Sequence, residues 1–190
     1  MGFLDAILGR SKPVRPDLDQ LFALPSAAVT LQAAAGFVPT GRGSVCFASV
    51  EGGAFARIEQ EVRELLDAPV EFSQDEHGYT WLLARHSPDD VVGLVNDLHA
   101  VNTSLEEGGF GPHLLCSLIG FHDAREDRKR AMALVYLYKR GTFYPFAPKA
   151  AEAKKRDNTL ELEVRAMLSD DLNVEKDLTR WFPVWGAPGL

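Results

Sequence analysis

Hydrophobic positions follow two periods along this chain, and the shorter one marks its centre. In the run Met132–Tyr138, Met132, Leu134, Tyr136 and Tyr138 alternate with Ala133, Val135 and Leu137. Alternate residues of a strand point to opposite faces, so a strand here is apolar on both. That pattern predicts an interior strand over Ala131–Tyr138 rather than an edge. Lys139-Arg140-Gly141-Thr142 supplies a turn, and a short strand Phe143–Phe146 follows. Pro145 within it marks an edge or a strand end, because proline cannot donate to a ladder.

The same reading predicts strands at Ser44–Val50, after a turn at Pro39–Gly43, and at Leu114–Phe121. Val70–Ser73 and Tyr79–Arg85 read as an antiparallel pair joined around Asp75-Glu76-His77-Gly78. The longer period places helices between them. Pro88–Glu107 is the longest, with Val91, Leu94, Val95, Leu98, Val101 and Leu105 as its core stripe. Ser87 is its expected N-cap and Gly108-Gly109 its stop. Ala54–Ala68 is amphipathic, and Asn158–Leu168 carries Leu160, Leu162, Val164 and Leu168. Asp17 caps a short helix with Leu18, Leu21 and Phe22, ended by Pro25, and Ser26 opens a small-residue helix over Ala27–Ala35.

Strands in groups separated by helices predict an α+β fold: a mainly antiparallel sheet with helices on one face and Pro88–Glu107 packed across it. The order is compatible with a secretion-chaperone-like or YbjN-like sandwich, an analogy of fold that carries no function. Residues 17–190 are read as a single domain with a docked aromatic tail, since RWFPVWGAPGL would be costly left in water. Residues 1–16 are an amphipathic segment and a stiff SKPVRP linker. Phe3, Leu4, Ile7 and Leu8 form its apolar face. A helix so short is marginal alone. It is expected to dock on a partner or a second copy, with the chain's own core and a lipid surface as alternatives.

Composition narrows the function without naming it. A net charge of -7 over 190 residues and a pI near 5.2 disfavour nucleic acid. No apolar run approaches the roughly 20 residues that span a bilayer. Cys46 and Cys116 read as reduced thiols packed as small hydrophobes in a cytosolic protein. No phosphate loop, HExxH, GxSxG or CxxC pattern is present. Gly108–His113, GGFGPH, follows a helix rather than opening one, so it reads as a stop and loop. His113 and Cys116 have an HxxC spacing, but on a strand they point apart, so neither metal nor cofactor is expected. His86 with Asp89 and Asp90 reads as a helix start, and His99 as a satisfied histidine beside the core stripe. A Cys46–His99 nucleophile and base is one pairing among many.

Several blocks together resemble a known family. They are MGFLDAILGRSKP, LPSAAVTLQAAAGF, the Gly78–Trp81 run, DLHAVNTSLEEGGFGPHLLCSLIGF, YLYKRGTFYPFAP and the terminal WFPVWGAPGL. They look like the PspA-associated protein PspAB family of actinobacteria. The resemblance implies a cytoplasmic accessory protein of a phage-shock-type envelope-stress system, working at the inner face of the membrane through a partner. In that system PspA is a membrane-associated coiled coil, and a membrane zinc protease of the HtpX type is often linked. It carries over no catalytic residues. Two functions are expected from this. One is a non-enzymatic adaptor that binds a protein partner. The other is a small-molecule enzyme with a pocket lined by Trp81, Tyr136, Tyr138 and Tyr144.

Overall fold

The computed structural model describes residues 16–49, 52–125, 129–150 and 152–190. The predicted docking face Phe3, Leu4, Ile7 and Leu8 lies outside the described residues. A 3-10 turn over Leu18–Ala23 leads straight into α1, Leu24–Ala35. Pro25 therefore opens a helix instead of ending one: in a first turn its missing N–H has no intrahelical acceptor to lose. The next elements are β1 (Phe37–Ala48), α2 (Gly53–Leu65), β2 (Val70–Gln74), β3 (Tyr79–Arg85) and α3 (Val91–Leu105). β4 (Leu114–Asp123), β5 (Ala131–Leu137), β6 (Thr142–Phe146) and α4 (Asn158–Met167) complete the order.

The strands form one six-stranded sheet in the order β2-β3-β1-β4-β5-β6. All its ladders are antiparallel, so the fold is α+β. β5 lies inside the sheet and is buried on both faces, as its alternation requires. β6 is the edge. The following chain half-covers it: Phe143 N–H donates to Asn173 O at 2.9 Å and Glu175 N–H to Phe143 O at 2.7 Å. With Pro145, this blunts an edge that would otherwise template another strand.

The two sheet faces are covered differently. α1, α2, α3 and α4 pack over Phe37, Val45, Phe47, Phe121, Leu134 and Tyr136. The C-terminal tail covers the other face, laying Trp181, Trp185 and Ala187 over Leu118, Val135, Tyr144 and Phe146. At its end it presses so close to β4 that a Cβ on Gly120 would meet Gly189 O at 1.8 Å.

Two further local expectations are corrected. Pro39–Gly43 is no turn but part of β1, where a register irregularity between Pro39 and Gly43 absorbs the glycine and proline. The cap of α3 is Asp90, whose Oδ1 accepts from Gly93 N at 2.9 Å, and not Ser87. Residues before Asp90 are held back on β1, since His86 N–H donates to Gly41 O at 2.8 Å. Gly41 sits at φ 74, and a Cβ there would lie 2.2 Å from His86 O. Gly41→Ala is expected to cost about 2 kcal/mol or more from left-handed strain and that clash. Urea unfolding measures it; a change under about 0.5 kcal/mol would show the close approach to be unimportant.

Candidate functional site

The four aromatic residues predicted to line a pocket divide between the two sheet faces. Trp81 and Tyr144 belong to the tail-covered face, Tyr136 and Tyr138 to the helix-covered face. All four are buried. All four have their polar atoms engaged: Trp81 Nε1 donates to Asp75 Oδ2 at 3.0 Å, Tyr136 Oη to Asp17 O at 2.6 Å, Tyr144 Oη to Phe182 O at 2.7 Å, and the Tyr138 hydroxyl bonds the Glu106 carboxylate. Burial pushes the phenol pKa of Tyr136, Tyr138 and Tyr144 upward. The sheet between the two pairs keeps them from sharing one cavity. His99 stacks on Phe22 at 4.5 Å and its Nε2 meets Asp19 at 3.1 Å, on the helical side and away from Cys46. Cys46 instead faces Cys116 across the β1–β4 ladder.

What the helical side offers is a groove. α1 and the segment entering α3 leave about 480 Å³ between them. Pro25, Ala28 and Val29 form one wall and Pro88, Val91 and Val92 the other. Val38, Pro39 and His122 lie between the walls. Val29 is 68% exposed and Val92 58%, so two large apolar side chains stand in water on opposite sides of one concavity. Prolines at three of these positions restrict the backbone, so the groove exists before anything fills it. Asp89 lines it, and no lysine or arginine does among the described residues.

One wall is clamped from behind. His86 Nδ1 lies 2.9 Å from Asp90 Oδ2 and its Nε2 2.6 Å from Asp97 Oδ2. Burial works against a charge on this imidazole. The hydrogen bonds and charges of Asp97 and Asp90 outweigh it and raise the His86 pKa above its ordinary value. The Asp90 carboxyl is held low, first by its bond to His86 and then by the Gly93 N–H. The contribution is full below the ordinary histidine pKa and is lost as pH rises through the elevated one. The clamp thus sets the direction of the first turn of α3, which carries Val91 and Val92.

The groove brings apolar area and one carboxylate together, without a nucleophile and base in contact. Sequence reasoning missed it because Val29 and Val92 look unremarkable in their own helices; the only trace is that both fall outside their helix's buried stripe. Among the described residues no helix is long and apolar enough to cross a membrane. A family model described as PspA associated protein B matches residues 1–189. No curated protein and no solved structure matches the chain.

Proposed function

The chain belongs to the PspA associated protein B family, and from that membership we propose that it is a non-enzymatic adaptor of the PspA stress response whose α1–α3 groove binds PspA. The family assignment fits an accessory role in the PspA system. The groove is the observation that supports a binding role: apolar, preformed, and flanked by two exposed valines. Its shape suits an amphipathic helix laid into it with apolar anchors at i, i+3 and i+4. Its one carboxylate, Asp89, suits a helix with a basic side chain beside its apolar stripe. A coiled-coil partner offers such helices. The apolar face Phe3, Leu4, Ile7 and Leu8 supplies a second contact to the same partner, and through it the protein works at the cytoplasmic face of the membrane.

The test is titration of purified PspA with the full-length chain and three variants. Val29→Asp and Val92→Asp are each expected to weaken binding at least tenfold, since each places a charge where an apolar anchor docks. Both side chains are exposed, so stability should move by no more than about 0.5 kcal/mol. Deleting residues 1–10 is expected to weaken binding again and leave the thermal transition in place. Wild-type affinity in the Val29→Asp/Val92→Asp double variant would overturn the groove assignment. A large fall in the melting temperature of the truncated chain would assign Phe3, Leu4, Ile7 and Leu8 to its own core.

A further inference from the structure

Cys46 on β1 and Cys116 on β4 are partners in register, directly opposite on neighbouring antiparallel strands. Opposite residues project from the same face with Cα atoms roughly 4.5–5.5 Å apart. Disulfides form across roughly 4.4–6.8 Å. Both thiols are free, and they lie under the C-terminal tail with Trp81 beside Cys46 and Leu137 beside Cys116 in the same row. The ladder is irregular immediately beyond the pair: Phe47 aligns with Leu114, so Leu115 is skipped. Such a bulge bends the strand and re-aims its side chains. The two sulfurs also feel each other. Cys116, ahead of burial, is the main reason that Cys46 holds its proton above the ordinary thiol range.

We propose that Cys46 and Cys116 form an oxidisable dithiol, a modification site that takes a small peroxide as oxidant and closes reversibly to a cross-strand disulfide. Cys116 is the more exposed of the two, 8% against 3%, and reacts first. Its sulfur attacks one oxygen of hydrogen peroxide, the O–O bond breaks, Cys116 becomes a sulfenic acid, and the departing oxygen takes the thiol proton and leaves as water. The sulfenic acid then lies directly opposite Cys46 in the ladder. The Cys46 sulfur gives up its proton and attacks the Cys116 sulfur; the S–O bond breaks, the S–S bond forms and a second water leaves. The two thiols surrender two electrons and the peroxide takes both. The product ties together β1 and β4, the two middle strands of the sheet. This proposal is independent of the groove and its occupant.

The experiment uses the full-length folded chain, reduced and freed of reductant, then exposed to hydrogen peroxide. Thiol titration, intact mass and peptide mapping follow it with time. Both thiols should vanish together, the mass should fall by two hydrogens, and one linked peptide should join Cys46 to Cys116 within a monomer. Dithiothreitol should restore both thiols. In Cys46→Ser, a dimedone adduct should accumulate at Cys116; this variant adds detail, and the wild-type chain alone decides. Three results would overturn the proposal. They are both thiols surviving in the folded chain while the urea-unfolded chain oxidises, Cys116 passing to sulfinic acid without a disulfide, or linkage only between chains.

Discussion

Trp181→Ala is expected to destabilise the protein by about 3–5 kcal/mol, the range for removing a large buried aromatic side chain. The ring is 6% exposed and stacks on Tyr144 with centroids 6.0 Å apart. Its Nε1 donates to Glu175 O at 3.1 Å, and its carbonyl accepts from Arg156 Nη1 at 2.5 Å. Arg156 is itself fixed by Glu161, 2.8 Å away, whose carboxylate also accepts from Ala147 N at 2.8 Å. Trp181 therefore joins the tail to α4 and to the end of β6. Without it the tail loses its anchor, and Tyr144, Phe146 and Val135 lose cover on the face opposite α1–α4. Guanidinium unfolding of wild type and variant measures the difference. Trp181→Phe, which keeps most of the area but not the indole donor, should lose nearer 1 kcal/mol. A loss below about 1 kcal/mol for Trp181→Ala would mean that the tail merely lies on the sheet.

Asp123→Ala is expected to cost about 3 kcal/mol at neutral pH, the lower end of the range for breaking a buried ion pair. The carboxylate side chain is 0% exposed at the end of β4. It accepts from Arg125 N at 3.0 Å, Arg125 Nε at 3.1 Å, Arg130 Nε at 3.0 Å and Arg130 Nη2 at 2.6 Å. The lower end applies because the Arg125 and Arg130 side chains are 51% and 35% exposed and turn to water once released. Burial alone would raise the Asp123 pKa. The bonds and charges of Arg125 and Arg130 overcome it and hold the carboxyl well below the usual range. A depressed folded pKa adds stability above the unfolded value, near 4, and loses it as pH falls below that. Wild type should thus lose stability on acidification from about pH 4 faster than Asp123→Ala does, and the gap between them should narrow. Unfolding curves at neutral and acid pH check both points. A gap constant with pH would remove the ion pair as its cause.

Much of the architecture was legible because periodicity records which side of an element is buried. The alternation through Ala131–Leu137 gave an interior strand with Leu134 and Tyr136 on one face and Ala133 and Val135 on the other. The buried stripe Leu94, Val95, Leu98, Val101 and Leu105 matched the α3 pattern. Gly78 and Gly141 turn their hairpins with φ 80 and 65, where a side chain would strain the backbone. Those features depend on neighbours a few residues away, and local chemistry determines them.

Features joining distant segments had no such trace. Periodicity told that Tyr136 and Trp81 would be buried, but not that the sheet would stand between them, because strand order and register arise from packing the whole chain. The same holds for Cys46 and Cys116, which become neighbours only because β1 lies beside β4 in that register. Residues 39–43 read as proline–glycine punctuation, yet β1 runs through them; pairing with β4 overrode local propensity, and Gly41 then held the segment that enters α3. The groove is the furthest from the sequence. Val29 and Val92 are each an ordinary exposed residue of its own helix, and only the approach of α1 to the start of α3 makes them two sides of one surface.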